Sequence, residues 1–113
     1  MAVNKENTQN YFWGDNCESF VLVDTEALSV KQEVMPPGTK EKLHFHQNAQ
    51  QFFFILKGMA VFYRDNQQEI IKEQSGIVIK PGTKHYIANE SGKPLEFLVI
   101  SQPSTNNDRI NAE

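Results

Sequence analysis

The chain is poor in the residues that define several whole classes of protein. Among its 113 residues one is a cysteine, Cys17, so no intrachain disulfide can form. No histidine follows it closely, and it reads as a small buried hydrophobe rather than a nucleophile. Long apolar runs are missing too. The longest span about five residues, where a bilayer-crossing helix needs roughly 20. The opening "MAVNKENTQNYFWG" lacks the apolar core of a signal peptide, so the expectation is a soluble cytoplasmic protein with no membrane partner. Charge of one sign is also scarce. Fourteen acidic and eleven basic residues give a net charge of −3 without a basic cluster, which excludes the usual electrostatic footprint of a nucleic-acid binder. Helical periodicity over ten or more residues is absent throughout.

What remains is enough for one real core. Hydrophobic content is 39% and there are eight phenylalanines, so wholesale disorder is excluded. The length fits a single domain over residues 1–113, with a barrel core at about 20–101 and polar extensions at both ends. Short apolar or alternating runs recur along that core: "FVLV" (20–23), "LSVKQEVM" (28–35), "EKLHFH" (41–46), "QFFFIL" (51–56), "AVFYR" (60–64), "QEII" (68–71), "GIVIK" (76–80), "HYIA" (85–88) and "LEFLVIS" (95–101). Between them stand "PPGTK", "RDNQ", "PGT" and "NESGKP", turn formers through fixed or positive φ and side-chain bonds to the backbone. Many short strands with frequent turns predict an all-β sandwich or barrel. Residues 1–10 read as loose, and 102–113 as a tail or an arm.

All three histidines fall within the strand-rich core. His44 and His46 are two apart in a predicted strand, hence on one face of it, and His85 opens another strand after "PGTK". Imidazole is the commonest metal ligand, and three that converge suit Zn, Fe, Ni, Cu or Mn. Gln51 follows His46 by five residues. An antiparallel neighbour reached across "QNAQ" would present it to the same interior. The competing arrangement is a metal-free pocket whose histidines bond one another and water. Gln51 itself either ligates directly or bonds a bound water.

Two spaced motifs now give a resemblance. Gly38, "TKEKL", His44, Phe45, His46, "QNAQ", Gln51, "FFFILK", Gly58 is similar to the first motif of the cupins. Pro81, Gly82, "TK", His85, "YIA", Asn89 resembles the end of their second. The pair covers, with its surrounding strands, roughly residues 20–101 and is far more specific than a lone short pattern. The resemblance implies the double-stranded β-helix, or jelly-roll barrel, of the small single-domain bacterial type. It also implies one divalent metal ion per chain (Zn, Ni, Mn or Fe) held by His44, His46, Gln51 and His85. Two departures stand out. The Pro-x-Gly of the second motif is compressed to Pro81-Gly82, so either Lys80 takes the proline position or the turn is rebuilt. Gln51 stands where the family most often has glutamate.

Three neutral imidazoles and an amide leave a divalent ion its full +2, whereas a glutamate would reduce the total to +1. The more positive centre is the stronger Lewis acid and lowers the pKa of bound water further. An iron centre without an anionic ligand is also harder to oxidise, which disfavours oxygen activation. The reading is therefore a small enzyme doing isomerase, lyase, ketonising or cyclising chemistry on a sugar- or keto-acid-like small molecule in the barrel. Cupins with three histidines and a glutamine are found among enzymes of sugar-acid breakdown and polyketide cyclisation, and the site is similar to theirs. The alternatives are a non-catalytic binding or sensing cupin and an Fe-dependent dioxygenase.

A catalytic acid is not evident, Glu96 being the one candidate in the last strand. "QFFFIL" at period two puts Gln51, Phe53 and Ile55 on one face and Phe52, Phe54 and Leu56 on the other. Both are apolar, so one lines the barrel and the other favours a homodimer. Tyr11 and Trp13 read as a cap on the barrel and Met35 as core filling. Phe45 and Tyr86 should point away from the ligands. Arg64 and Lys84 are candidates for the barrel mouth, with a solvated strand end as the commoner fate.

Overall fold

Buried and less buried positions alternate along four strands of the computed structural model, which describes residues 2–113 and among them contains no helix. The strands are β1 (Asn10–Trp13), β2 (Cys17–Asp24), β3 (Ser29–Met35), β4 (His44–His46), β5 (Gln50–Lys57), β6 (Ala60–Arg64), β7 (Gln67–Ile71), β8 (Gly76–Ile79), β9 (His85–Ala88), β10 (Leu95–Gln102) and β11 (Arg109–Asn111). They form a six-stranded sheet in the order β1-β2-β3-β10-β5-β8 and a five-stranded sheet in the order β11-β4-β9-β6-β7. Strands distant in sequence therefore lie side by side, and every pairing is antiparallel. This is the all-β jelly roll, two sheets facing each other over one interior.

Local chemistry explains the connections. The "RDNQ" turn joins β6 to β7 through Asp65 and Asn66, both at positive φ (48° and 64°), the combination a tight hairpin turn of matching twist requires. Gly58 has φ +86°, and a Cβ built on it would lie 2.7 Å from the Pro94 carbonyl oxygen, so no larger residue fits without moving backbone. Expected elements and observed ones differ mainly at the edges. Residues 41–43 of "EKLHFH" are outside β4, which is only three residues long. The terminal segments are less loose than their polarity suggests: the Val21 N–H bonds the Gln9 carbonyl at 2.9 Å, Lys5 pairs with Glu96, and β11 pairs with β4.

The inward residues Met35, Phe53, Ile55, Phe62, Ile79, Ile87, Leu95 and Phe97 are buried and form a continuous core with Cys17. Phe53 and Phe62 meet edge to face with centroids 4.9 Å apart, a favoured aromatic geometry. Burial pushes the Cys17 thiol above its ordinary pKa, so it is an inert core residue. On the outside of the larger sheet, Val30, Ile100, Phe52 and Val78 line up across β3, β10, β5 and β8. Phe52 and Val78 are exposed there.

Candidate metal centre

The short strand β4 alternates buried, half-buried, buried, which turns His44 and His46 inward and Phe45 outward. His85 is the partner of His44 across the β4–β9 ladder. The ring centroids are 4.4 Å apart for His44 and His85, 5.0 Å for His44 and His46 and 6.0 Å for His46 and His85. One ring nitrogen from each of the three lies within 4.8 Å of the others.

Backbone carbonyls set two of the tautomers. His44 Nδ1 is 2.8 Å from the Lys42 carbonyl and His85 Nδ1 is 2.7 Å from that of Thr83. A carbonyl oxygen only accepts, so both Nδ1 atoms donate and both Nε2 atoms keep a lone pair. His85 Nε2 is buried with no hydrogen-bond partner, as is His46 Nδ1.

Gln51 enters the same space, but by a different route from the one its spacing suggests. β4 and β5 are not neighbours; they belong to opposite sheets, and the chain crosses between layers at residues 47–49. Gln51 therefore faces the histidines across the barrel. Its Nε2 donates to Ser101 Oγ at 3.1 Å, which leaves Oε1 buried and unpartnered. Buried polar atoms without partners are rare and cost about 1–3 kcal/mol each. Unpartnered atoms on Gln51 and His85, with three imidazoles clustered beside them, fit a bound cation. The donor set of nitrogen and neutral oxygen suits a borderline divalent ion.

Electrostatics are consistent with that fit. Burial, the leading cause, lowers the pKa of His44 to about 3 and of His46 to about 4, and it lowers that of His85 as well. All three rings are therefore neutral at pH 7, the form in which imidazole ligates.

The cluster opens into a cavity of about 970 Å³ lined also by Trp13, Glu33, Glu41 and Arg109, a size that suits a small organic ligand. Glu33 and Glu41 are absent from the sequence-based candidates. Glu33 is 8% exposed on the inward face of β3. Its carboxylate accepts from the Ser19 hydroxyl, which itself receives the Trp13 indole N–H at 3.0 Å. Burial raises its pKa. Glu41 precedes β4, and its Oε1 accepts the Ile87 N–H at 3.1 Å. Burial first and the neighbouring Glu33 second push its pKa up to about 8, although Arg109 stands 3.8 Å from Oε2. A signal for Glu33 was present: it shares the inward parity of Met35. Nothing local marks Glu41, whose burial comes from segments far away in sequence.

The other candidates divide. Glu96 faces outward, bonding Gln32 and pairing with Lys5, so the last strand contributes no cavity acid. Met35 is fully buried in the apolar core. Tyr86 stacks on Tyr63 at 4.4 Å, half-buried and away from the ligands. Arg64 pairs with Glu69 at 3.2 Å and lines no part of the histidine cavity. Trp13 packs against the core as a cap would, whereas Tyr11 is exposed; both line the cavity.

The model of the cupin domain matches residues 31–101, and the chain belongs to this family. An uncharacterized protein of Methanocaldococcus jannaschii is 33% identical over 75 residues, a match that covers 66% of this chain and 60% of that protein. An oxalate-binding protein of Thermotoga maritima is 32% identical over 84 residues, covering 70% of this chain and 69% of the relative. Among solved structures, a predicted oxalate decarboxylase of Thermotoga maritima superposes with a TM-score of 0.83 at 23% identity, over 92% of this chain and all of that one. The last likeness is one of fold.

Proposed function

We propose that this cupin is a divalent-metal enzyme acting on a small oxygen-rich acid, with His44, His46, His85 and Gln51 as ligands and Glu41 as the proton-transfer group. The observation that carries the reading is a three-histidine cluster, two of whose members line one cavity with an unpartnered glutamine oxygen and the half-buried Glu41 carboxyl group. A divalent ion there supplies a Lewis acid that polarises a carbonyl or carboxylate oxygen.

The chain's own residues do the rest. Ser101 holds the Gln51 amide so that its oxygen points into the site. Lys42 and Thr83 carbonyls hold two imidazoles in the ligating tautomer. Glu41 Oε1 accepts the Ile87 N–H, which leaves Oε2, the oxygen towards Arg109, to take up or release the proton. When that proton leaves, the carboxylate is met by a guanidinium 3.8 Å away. A group kept protonated near neutral pH and stabilised once ionised is suited to general acid–base work. Isomerase, lyase or ketonising chemistry needs such a group. A pure binding module does not.

The second reading is that binding module, favoured by the oxalate-binding name of the Thermotoga relative. A small dicarboxylate would chelate a divalent ion without any proton transfer. Elemental analysis of untagged protein is the first test. About one Zn, Ni or Mn per chain supports the Lewis-acid reading, about one Fe advances a dioxygenase, and no metal even on titration removes the metal centre. With the metal known, turnover of keto and sugar acids that Glu41→Gln abolishes at unchanged metal content favours the enzyme; tight oxalate binding indifferent to that substitution favours the binder.

The apolar row Val30, Ile100, Phe52 and Val78 supports a homodimer formed through the larger sheet. Light scattering of Phe52→Lys against the native chain tests it, a shift from dimer to monomer being expected. The cytoplasm is the proposed compartment.

A further inference from the structure

The five-stranded sheet has a weak point at its most important strand. β4 carries two of the three histidines, yet its ladder with β9 contains one register pair, His44 with His85, supplemented by the Gly82 N–H bonding the His46 carbonyl at 2.7 Å. A chelating geometry must be held within about 0.5 Å, so a three-residue strand tied so briefly depends on its flanks. Upstream, the Glu41 N–H bonds the Ile87 carbonyl at 3.0 Å and Lys40 bridges Ala88; along the other edge of β4 the support comes from the polar C-terminal segment. β11 pairs Arg109 with His46, Ile110 with Phe45 and Asn111 with His44, and the Ala112 N–H continues to the Leu43 carbonyl at 2.9 Å.

Immediately before β11, Asp108 is only 8% exposed despite its charge. Its Oδ1 accepts the backbone N–H of Gln47 at 3.0 Å and of Asn48 at 3.2 Å, and the Asn48 side-chain amide at 3.4 Å. Its Oδ2 accepts the N–H groups of Asn48 at 3.2 Å and Ala49 at 3.0 Å. One carboxylate from the far end of the chain thus gathers three successive N–H groups. Those residues are the crossing between His46 in one sheet and Gln51 in the other. The crossing sets the distance between an imidazole ligand and the amide oxygen, since nothing else in the chain joins β4 to β5 directly.

We infer that the C-terminal arm is part of the metal centre, with Asp108 as the residue that positions His46 and Gln51 relative to one another. The inference rests on the metal reading above. A carboxylate that accepts several N–H bonds holds a loop more firmly than neutral acceptors would, because charge-assisted hydrogen bonds are roughly twice as strong. The cost of losing it should appear at the metal and not only in the fold.

The test loads the 113-residue chain with Co²⁺, whose visible spectrum reports coordination geometry, and measures its affinity in Asp108→Ala, Asp108→Asn, Gln51→Ala and Asp108→Ala/Gln51→Ala proteins. Asp108→Ala should weaken binding by about 10- to 100-fold, the usual range for groups that orient metal ligands, and should shift the spectrum. Asp108→Asn keeps an acceptor oxygen and should lose less in the same direction. If Asp108 acts through Gln51, the double variant should lose less than the product of the single losses. Unchanged affinity and spectrum in Asp108→Ala, whatever its melting temperature, overturns the inference; should that variant not fold, the same result in Asp108→Asn overturns it. A native chain that takes up no cobalt defeats the metal centre itself, whereas native uptake with indifferent variants defeats the arm alone.

Discussion

The interior of the barrel has two ends that the same strands build differently. β5 begins its inward face with Gln51 and continues with Phe53 and Ile55; β10 runs through Leu95, Phe97 and Val99 to end at Ser101. The ladder aligns Ser101 with Gln51 and with Ser29, and Leu95 with Met35. Polar positions therefore meet polar ones at the mouth and apolar positions meet apolar ones at the base. The base is a continuous buried apolar cluster, and its energy comes from area removed from water. The mouth keeps three buried polar atoms without partners and two carboxyl groups against their charged preference. Stability is concentrated at one end so that the other can carry strained electrostatics.

Substitutions should break this contrast in opposite ways. The largest effect is expected at the mouth: His46→Ala should abolish stoichiometric metal binding, measured by elemental analysis after dialysis, and retained metal would defeat the assignment. At the base, Phe97→Ala should cost about 3–5 kcal/mol by denaturant unfolding while the folded fraction still takes up metal. Gln51→Glu adds a negative charge beside the cation and should tighten metal binding, read by competition with a chelator; weaker binding would place Gln51 outside the coordination sphere.

Acid and base should separate the mouth's two kinds of buried group. His44 has a folded pKa near 3 and an ordinary value of 6.5, so it holds fewer protons folded than unfolded. Its contribution is complete above pH 6.5 and is lost as pH falls towards 3. Glu41 does the reverse. With a folded pKa of about 8 against 4.5, it holds a proton that the unfolded chain releases, and its contribution declines as pH rises from 4.5 to 8. Glu41→Gln should therefore raise stability relative to the native chain more at pH 8 than at pH 5, measured by urea unfolding of metal-free protein. The smallest effect is expected at Arg64→Ala, outside both ends, within about 0.5 kcal/mol.

Much of this contrast was legible from residue order. The parity of "QFFFIL" placed Gln51, Phe53 and Ile55 inward, and the spacing of His44 and His46 placed both on one face. Period-two patterning is local, and it survives in the fold because the central strands must each bury one face. The neighbours of a strand are another matter. Gln51 was expected beside β4 and arrives from the opposite sheet, since a short loop permits either a hairpin or a crossing. Glu41 and Asp108 carry no local mark. Each acquires its role from contacts some 46 and 61 residues away, with Ile87 and Gln47 respectively.

The sequence by itself determined the strand content, the inward faces, the three histidines and the family, because these depend on alternation and short motifs. Only the tertiary structure decided which carboxyls are buried, how the polar tail closes the histidine strand and where the unpartnered atoms meet. Burial and long-range pairing are properties of surfaces brought together by the fold, and no window of sequence contains both partners.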